Sequence, residues 1–388
     1  MQNGEVAGKL AVTRLTLSDF RCYARARLEV DGRSVVLVGP NGAGKTNLLE
    51  AISFLMPGRG LRRARLAEIG RREAGDENPD CLPWAVAATL AQGGHQVEIG
   101  TGVEPDPTGA GREKRTVRIE GSTEKSQAAL GRLLSAQWLT PGMDRLFQEG
   151  AGGRRRFLDR LIYGLDPEHG GPVSAYEKSL RERSRLLRDG CKDLVWLDGV
   201  EDSMARHGIA VAARRLEAVR HLHEASAAAA GPFPGAHLAM SGELEDWLGS
   251  GPALAAEDRM RAALAGSREW DAMAGGASVG PHKSDFAVSH AQNGRQAAFC
   301  STGEQKALMI AIVLAQAQLQ AERRGHAPLL LLDEILAHLD AERRHALFER
   351  IFTLGAQAWM TGTDQDVFTS LGRNVQYFTI DQGTISPA

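Results

Sequence analysis

Cysteine is scarce in this sequence, and the few cysteines form no recognisable pair or cluster. Four cysteines occur among 388 residues, and no two of them stand in a C-x-x-C arrangement. Zinc sites and disulfide frameworks need closely spaced thiols or histidines, so neither is predicted. We expect the thiols to be buried or idle. They are Cys22, Cys81, Cys191 and Cys300.

Long apolar runs and a targeting segment are also missing. No uninterrupted apolar stretch approaches the roughly 18 to 20 residues that a membrane-spanning helix needs. The first residues, Met1–Leu10, lack the charged start, apolar centre and small-residue cleavage site of a secretory signal. The sequence therefore predicts a cytoplasmic protein in a reducing compartment, with no membrane as a partner.

An excess of charge of one sign is absent as well. Lysine and arginine number 46 against 48 aspartates and glutamates, a formal net charge of -2. A chain with this balance has no global attraction for a polyanion, so any nucleic-acid surface must be local. The composition is otherwise that of a globular protein, with 43% hydrophobic and 24% charged residues. At roughly 150 residues a domain, the length favours two to three domains.

A glycine-rich loop follows an apolar run near the start of the chain. Ser34–Val38 is typical of a buried central strand, and the amphipathic spacing of Asn47–Leu55 predicts a helix. The pattern G-x-x-x-x-G-K-T between them matches the phosphate-binding loop, whose backbone N–H groups surround nucleotide phosphates. Lys45 is predicted to reach the β and γ oxygens and Thr46 to hold Mg²⁺. The predicted nucleotide contacts of the loop are Gly39, Pro40, Asn41, Gly42, Ala43, Gly44, Lys45 and Thr46.

A second apolar run ends in two adjacent acids. Leu329–Leu332 predicts a buried strand, and Asp333 and Glu334 follow it directly. Taken alone, the pair fits a charged strand end in solvent equally well. In a chain with a phosphate-binding loop, Asp333 is the expected Mg²⁺ ligand, and Glu334 is placed to orient or deprotonate an attacking water. The predicted catalytic residues are Glu334 and Lys45.

A Ser-x-Gly-x-Gln element opens the helix predicted just upstream of that strand. Ser301 and Thr302 are typical N-cap residues, and Glu304 is an acid in the first turn. The same element offers a hydroxyl, a glycine amide and the positive end of a helix dipole to an anion. It resembles the signature motif of ABC-type ATPases, which reaches the γ-phosphate on the other subunit. The resemblance implies two heads that enclose two ATP molecules, with contacts from Ser301, Gly303 and Gln305.

Further segments resemble parts of the same ATPase class. The segment that ends in Asp340 resembles the D-loop, so Asp340 is among the predicted nucleotide contacts. The usual switch histidine is replaced within Trp359–Asp364, where Thr361 or Thr363 offers a hydroxyl to a phosphate but no positive charge. Thr363 is the one that we include among the nucleotide contacts, and Gln137 is the candidate for the Gln-loop residue.

Strand and helix patterns divide the chain by region. Short β segments between glycine turns predict antiparallel hairpins, at Trp84–Leu90, Gln96–Val103 and Arg115–Glu120. From Pro141 onward, stretches rich in arginine, glutamate, leucine and alanine predict a helical arm. The predicted helices are Arg154–Ile162, Val173–Leu187, Asp202–Ala230, Leu254–Ala274 and Glu304–Arg323.

These patterns predict an α/β fold class with an inserted helical lobe, and the motif resemblance implies that the α/β part is an ABC-type ATPase head. Lobe I combines the P-loop core with an antiparallel β subdomain and is predicted over residues 1–135 and 325–388. Lobe II carries the helical arm and the signature motif and is predicted over residues 136–324.

The motifs together resemble the RecF family, DNA repair ATPases related to the heads of SMC proteins. The resemblance runs nearly from end to end of the chain. Besides the signature and acidic elements, it rests on Asp19-Phe-Arg-Cys-Tyr23, Gly39 to Glu50, Gly153 to Asp159, and Gly280-Pro-His-Lys283 with Asp285. Two of these segments, Gly153 to Asp159 and Gly280 to Asp285, have no role in ATPases generally. They therefore distinguish the chain from a transporter subunit.

The chain departs from the family pattern at a few positions. Lys283 stands where arginine is frequent, and Glu334 stands where a second aspartate is frequent, so both changes preserve charge. His338 replaces a frequent glutamate in the D-loop. His282 is interpreted as part of a turn that fixes backbone geometry and not as a catalytic base.

The resemblance implies a slow, DNA-stimulated ATPase that dimerises on ATP and acts at single-strand gaps or duplex junctions. It also implies RecR and RecO as partners that help to load recombinase onto single-stranded DNA. Two alternatives stay open at this point. One is the nucleotide-binding subunit of an ABC transporter, and the other is a DNA scaffold that binds ATP without hydrolysing it.

A basic segment, Arg59–Arg72, is the remaining candidate for DNA contact. It fits either a solvated loop or a surface for DNA phosphates, which give sequence-independent and salt-sensitive affinity. The candidate DNA contacts are Arg59, Arg62, Arg63, Arg65, Arg71 and Arg72. Arg154, Arg155 and Arg156 either extend this surface or form intrahelical pairs, since Asp159 follows in the same predicted helix.

Overall fold

The computed structural model describes residues 8–72, 82–104, 114–228 and 231–388, apart from the side chains of Ala337 and His338. The chain forms two compact units. Unit 1 is Met1–Met143 with Ala317–Ala388, and unit 2 is Asp144–Gln316. The lobe boundaries predicted from the sequence lie eight residues away at each junction, at 135/136 and 324/325.

The described residues form the following strands and α-helices. The strands are β1 (Leu10–Phe20), β2 (Tyr23–Glu29), β3 (Ser34–Val38), β4 (Ala85–Gln92), β5 (His95–Val103), β6 (Arg115–Ile119), β7 (Ser122–Thr123), β8 (Ala136–Leu139), β9 (Ala236–Ser241), β10 (Asp285–His290), β11 (Leu329–Leu332), β12 (Ala358–Gly362), β13 (Val375–Asp381) and β14 (Thr384–Pro387). The α-helices are α1 (Lys45–Phe54), α2 (Ala128–Leu133), α3 (Ala151–Leu165), α4 (Gly170–Arg188), α5 (Leu194–Ser226), α6 (Glu243–Ser250), α7 (Ala253–Gly266), α8 (Arg268–Ala274), α9 (Thr302–Arg324) and α10 (Ala341–Thr353). Within the described ranges, none of these helices has the length and apolarity to cross a membrane.

The central sheet of unit 1 brings three strand ends to one edge. Its strand order is β14-β13-β3-β12-β11-β8. β3 and β11 both run parallel to β12, with Val38 opposite Gly362 and Leu332 opposite Met360. Because the carboxyl ends of parallel strands share an edge, the glycine-rich loop after β3, the acids after β11 and the end of β12 lie side by side.

The second sheet of unit 1 packs against the helix that follows the glycine-rich loop. Its order is β2-β1-β4-β5-β6-β7, and its strands are antiparallel, which confirms the hairpins predicted for this region. Phe20 of β1, Phe54 of α1 and Trp84 contact one another edge to face, with ring centroids 5.3 to 6.0 Å apart. Aromatic rings prefer this geometry, so the cluster fixes α1 against the sheet.

Unit 2 is mainly helical and contains the antiparallel pair of β9 and β10. Its interior holds a fully buried ion-pair network. Arg183 of α4 donates to Glu201 Oε1 in α5 at 2.8 Å and to Asp271 Oδ2 in α8 at 2.7 Å. A third bond runs from Arg183 to Leu264 O at 2.7 Å. Because Leu264 lies in α7, one guanidinium therefore joins α4 to three other helices.

Parts of unit 2 differ from the sequence-based expectation. α5 begins at Leu194, earlier than predicted, because Asp193 accepts the Trp196 N–H at 3.0 Å and caps the helix. The single helix predicted over 254–274 is wrong, since Ser267 separates α7 from α8. The pairing of β9 with β10 was not predicted, because helices α6 to α8 separate these strands in sequence.

Candidate functional site

The side chain of Lys45 folds back over the glycine-rich loop. Its Nζ donates to Gly39 O at 2.7 Å and to Pro40 O at 2.8 Å, and the residue is buried. Burial lowers the pKa of Lys45, and the charges of Glu334 and Asp333 oppose that shift. A cation is therefore held inside the loop and interacts with two carboxylates.

The turn that enters α1 requires a glycine at position 44. Gly44 has a φ of +114°, and a Cβ there would lie 2.8 Å from both Tyr23 Oη and Cys22 Sγ. The Tyr23 hydroxyl also donates to Gly44 O at 3.1 Å. The Asp19–Tyr23 motif thus packs against the glycine-rich loop, a role that the sequence alone did not assign.

Two hydroxyl groups converge on the carboxylate of Asp333. Thr46 Oγ1 and Thr361 Oγ1 each donate to Asp333 Oδ1 at 2.9 Å, and Asp333 is only 5% exposed. Thr361 Oγ1 also accepts the backbone N–H of Glu334 at 2.9 Å. The acid pair is therefore not a charged strand end in solvent, which was the alternative interpretation from the sequence.

Glu334 has an unusual backbone conformation. Its φ of +53° and ψ of 15° lie in the left-handed region, which costs a residue other than glycine about 1–3 kcal/mol. The bond of its N–H to Thr361 and the 3₁₀ turn Ile335–His338 hold it there. Such strain persists where the surrounding structure fixes a side chain, and it is common at functional sites.

The donors around Asp333 suit a hard divalent cation. Mg²⁺ prefers oxygen ligands such as carboxylates and hydroxyls. Thr46 Oγ1 and Asp333 Oδ1 lie 2.9 Å apart at the end of the glycine-rich loop. The residues present therefore fit the Mg²⁺ site that the sequence predicts.

The threonine that joins this network is Thr361 and not Thr363. Thr361 is buried opposite Leu37 of β3, whereas Thr363 is exposed just beyond β12. The predicted nucleotide contact of Thr363 stays a prediction. The parallel register of β12 with β3 is the signal that points to Thr361. Gln137, the Gln-loop candidate, lies fully buried within β8.

The predicted signature turn forms a capping box in unit 2. The Glu304 N–H donates to Ser301 Oγ at 3.3 Å, and the Ser301 N–H donates to Glu304 Oε2 at 2.7 Å. Reciprocal bonds of this kind satisfy N–H groups at the start of a helix. Ser301, Thr302 and Gly303 are exposed, so a hydroxyl and a helix N-terminus face solvent together.

Two of the predicted nucleotide contacts have structural roles. Gln305 is buried, and its Nε2 donates to Cys300 O at 2.8 Å, so it supports the signature turn from inside. The prediction that Gln305 contacts the nucleotide stays a prediction. Asp340 is exposed and caps α10, because its Oδ1 accepts the Arg343 N–H at 2.8 Å.

The arginines of the basic segment differ in their contacts. Arg62 Nη1 donates to Glu50 Oε2 at 2.9 Å and to Asn47 Oδ1 at 2.7 Å. Arg71 is half-buried, and its Nε donates to Asp19 Oδ1 at 3.1 Å. The segment is therefore attached to α1 and β1 and is not simply a solvated loop. Its exposed arginines are Arg59, Arg62, Arg63, Arg65 and Arg72.

The two motifs that distinguish the chain from a transporter subunit meet in unit 2. Arg154 makes two bonds to Asp285, at 2.7 and 2.8 Å, and Arg155 donates to Ser284 O. The Arg154 bond holds the pKa of Asp285 below its ordinary value. Arg154 is thus occupied by an ion pair within the unit, whereas Arg156 is exposed.

Asp159 is buried between the side chains of Arg215 and His169. Arg215 binds both of its oxygens, at 2.8 and 2.9 Å, and His169 Nε2 lies 2.9 Å from Oδ1. Burial alone raises the pKa of Asp159, but these bonds hold it below its ordinary value. The intrahelical pair of Asp159 with Arg155 that the sequence suggested is therefore wrong. Arg215 also donates to Pro281 O at 2.7 Å.

The Gly280 turn is built around His282. Gly280 has a φ of +143°, and a Cβ there would lie 2.1 Å from Tyr176 Oη. His282 Nδ1 lies 2.6 Å from Tyr176 Oη, and its Nε2 lies 2.9 Å from Ala277 O. Burial lowers the pKa of His282. Both ring nitrogens therefore have partners within unit 2, and these contacts hold the turn in place.

The thiols do not share one environment. Cys300 is buried and Cys191 is half-buried, but Cys22 is exposed beside the glycine-rich loop. Asn47 Nδ2 donates to Cys22 Sγ at 3.2 Å. Of the two expectations for the thiols, buried or idle, only the second stays open for Cys22, because its backbone lies in a surface turn. Cys81 is outside the described residues.

Comparison with known structures and families agrees with this geometry. The family model described as RecF/RecN/SMC N terminal domain matches residues 11–386. The fold is similar to that of the recombination mediator protein RecF with ATPrS, with a TM-score of 0.81 at 20% identity over 99% of this chain and 100% of that one. It is also similar to an SMC head bound to the C-winged helix domain of ScpA, with a TM-score of 0.52 at 17% identity over 97% of each chain. Fold and site together define an ABC-type ATPase head, as the sequence predicts.

Relatives in sequence narrow this class to one family. The DNA replication and repair protein RecF of Mesorhizobium japonicum is 48% identical over 378 residues, which cover 97% of each chain. That of Allorhizobium ampelinum is 48% identical over 384 residues, which cover 98% of this chain and 100% of the relative. The chain belongs to the RecF family of DNA replication and repair proteins. The resemblance stated from the motifs is thus confirmed, and the alternative of a transporter subunit is set aside.

Proposed function

We propose that the chain binds ATP with Mg²⁺ at the edge of the central sheet of unit 1 and hydrolyses it. The observation that supports this best is the convergence of Thr46 and Thr361 on the buried carboxylate of Asp333. The backbone N–H groups that enter α1, together with Lys45, hold the phosphates. Thr46 and Asp333 hold Mg²⁺, which neutralises charge on the phosphate oxygens when bound.

Glu334 is the proposed general base. The bond of its N–H to Thr361 and its left-handed backbone fix the position from which its side chain extends. Its carboxylate orients the attacking water and accepts a proton from it. The Lys45 ammonium, held inside the loop, stabilises the negative charge that develops on the transferred group.

Two copies of the chain are proposed to enclose two nucleotides. The exposed Ser301 hydroxyl and Gly303 amide stand at the N-terminus of α9, where the helix dipole favours an anion. A γ-phosphate held by Lys45 of one copy and Ser301 of the other stabilises the dimer, because it binds that state better than the separate chains. Asp340 is proposed to contact the nucleotide where the two copies meet. Gln305 supports the signature turn.

The dimer is proposed to hold DNA at single-strand gaps or duplex junctions in the cytoplasm. The relatives are named DNA replication and repair proteins, and the similar structure comes from the RecFOR pathway, which supports RecO and RecR as partners. The exposed arginines of the basic segment supply contacts to DNA phosphates. Slow hydrolysis, stimulated by DNA, separates the two copies and releases the DNA. Loading of recombinase onto single-stranded DNA is the proposed outcome.

The test combines fluorescence anisotropy of a gapped duplex with light scattering on the same samples. Each sample contains ATP, ADP or no nucleotide. We expect dimers and tighter DNA binding in the samples with ATP, but not in those with ADP or without nucleotide. If neither dimerisation nor DNA affinity responds to ATP, the proposed mechanism, in which an ATP-driven dimer holds DNA, is wrong. Dimers that bind DNA without any turnover favour a scaffold that binds ATP without hydrolysing it.

A further inference from the structure

The Tyr23 hydroxyl is buried where the glycine-rich loop becomes α1. Tyr23 is 1% exposed, and its Oη donates to Gly44 O at 3.1 Å. The same oxygen accepts the Asn47 N–H at 3.0 Å and the Leu48 N–H at 3.3 Å in the first turn of α1. Burial raises the pKa of Tyr23, and Cys22 adds to the shift, so the hydroxyl stays protonated and acts as a donor near neutral pH.

The C-terminal strand pair supports the neighbouring peptide of the loop. Gln382 and Gly383 form a two-residue turn between β13 and β14, with φ values of +42° and +80°. Positive φ at both positions is typical of a type I′ turn, whose twist matches that of the strands it joins. From this turn the Gly383 N–H donates to Ala43 O at 3.1 Å. Two successive carbonyls of the loop, those of Ala43 and Gly44, therefore have partners outside the loop itself.

The direction of these two carbonyls fixes the direction of two N–H groups. A trans peptide bond is planar, so the C=O of one residue and the N–H of the next point in opposite directions. Fixing the two oxygens therefore aims the N–H groups of Gly44 and Lys45 to the opposite side. Both stand at the start of α1, where a helix offers backbone donors to a phosphate. Donors that are aimed before the ligand arrives strengthen binding, because less ordering is needed on association.

We propose that Tyr23 is a positioning residue for nucleotide binding and that the turn of Gln382 and Gly383 acts with it. Each holds one loop carbonyl, so that the N–H groups of Gly44 and Lys45 face the nucleotide phosphates. Without these partners the two peptides sample other orientations, and the apparent affinity falls with the fraction of competent loops. The inference rests on the proposed function, since it assigns supporting residues to the same nucleotide site.

The first test compares Tyr23→Phe with a matched control, Tyr377→Phe. Tyr377 also lies in unit 1, and its Oη donates to Phe368 O at 2.8 Å, so each variant loses one bond from a hydroxyl to a backbone carbonyl. We expect Tyr23→Phe to raise KM for MgATP roughly three- to ten-fold at unchanged kcat, because ground state and transition state lose the same phosphate contact. Tyr377→Phe should keep both constants. Phosphate release gives the constants, and circular dichroism melting checks both folds.

A competition assay separates the phosphates from the rest of the nucleotide. MgATP and inorganic tripolyphosphate each displace fluorescent mant-ATP from the full chain. We expect Tyr23→Phe to weaken both competitors by the same factor, since the aimed N–H groups bind phosphate oxygens. Weakening of MgATP alone overturns the proposal, because Tyr23 then acts on the base or the sugar. An equal rise of KM in Tyr377→Phe overturns it too, because the effect then belongs to the general stability of unit 1.

A second variant, Gly383→Ala, tests the support from the turn. A Cβ at this position would lie 3.3 Å from Cys22 O, and its φ of +80° disfavours any side chain, so the substitution displaces the turn from Ala43. We expect the same rise of KM at unchanged kcat. An unchanged KM in either variant overturns the role of the support that it removes, and in both variants it overturns the inference while the proposed function stands. If the unmodified chain neither binds mant-ATP nor hydrolyses ATP, the proposed function fails as well.

Discussion

Thr361 donates its hydroxyl hydrogen to Asp333 Oδ1 over 2.9 Å, which joins the ends of two neighbouring strands. The same hydroxyl accepts the N–H of Glu334, so one side chain positions both acids of the site. In this chain a threonine therefore occupies the region where the ATPase class usually has a switch histidine. A hydroxyl at this position does not titrate near neutral pH, so its contacts persist over the physiological range.

Removal of the Thr361 hydroxyl should slow turnover. Thr361→Val leaves the partly buried N–H of Glu334 without its acceptor and takes one donor from Asp333. A lost partner of this kind costs about 1–3 kcal/mol, so we expect kcat to fall roughly ten- to a hundred-fold. Phosphate release measures the effect, and Thr379→Val, at an exposed site in β13, is the control. Equal rates for the two variants contradict the role of Thr361.

Dimerisation should depend on Lys45 and Ser301 from opposite sides of the nucleotide. Lys45→Met removes the cation in the glycine-rich loop, and Ser301→Arg blocks the exposed signature turn. We expect neither variant to dimerise with ATP in light scattering. A mixture of the two should form heterodimers, because one of its two composite sites is intact. If either variant alone forms as many dimers with ATP as the unmodified chain does, the arrangement of two copies around two nucleotides is wrong.

Replacement of Glu334, the proposed general base, should trap the closed dimer. Glu334→Gln keeps the shape of the side chain but does not accept a proton, so turnover is expected to fall roughly 10²- to 10⁴-fold. The dimer formed with ATP should then persist in light scattering long after that of the unmodified chain has separated. Glu342→Gln, on an exposed first turn of α10, serves as the control. If turnover and dimer lifetime are unchanged in Glu334→Gln, Glu334 is not the general base, and the scaffold that binds ATP without hydrolysing it is favoured where neither protein shows turnover.

The stability of unit 2 should depend strongly on Arg183. Arg183→Met leaves the buried carboxylate of Asp271 without its cation and weakens the neutralisation of Glu201. Breaking one partner of a buried pair costs about 3–5 kcal/mol in the free energy of unfolding. Arg181→Met is the matched control, because its pair with Glu177 is largely exposed and is worth about 0–1 kcal/mol. Urea unfolding of both variants gives the comparison, and similar midpoints contradict the prediction.

The ion pair of Arg154 with Asp285 predicts a loss of stability in acid. Its hydrogen bond lowers the pKa of Asp285 in the folded chain, so the unfolded chain binds more protons there. The stabilisation is therefore present above the unfolded pKa of about 4 and is lost as pH falls through the lower folded value. Urea unfolding as a function of pH should show a shallower acid slope for Asp285→Asn. Identical slopes for Asp285→Asn and the unmodified chain would show that this ion pair does not contribute to the loss of stability in acid.

Local spacing was enough to predict the parts of the site that lie within one segment. The loop Gly39–Thr46, the acids after β11 and the cap at Ser301 each follow from a few consecutive residues, and their side chains point outward from strand or helix ends. The Thr361 bond depends instead on the register of β12 within the sheet. The bond from Arg154 to Asp285 joins residues 131 positions apart. No local pattern encodes such pairs, because they form only when distant segments pack together.

The order of strands in the central sheet has a consequence for biosynthesis. β3 and its loop are translated early, whereas the sheet neighbours of β3, which are β12 and β13, are translated last. Contacts between such distant segments form late, since closing the long intervening loop costs entropy before any pairing is gained. A nascent chain on the ribosome therefore carries the phosphate loop well before the carboxylate that completes the site has been made.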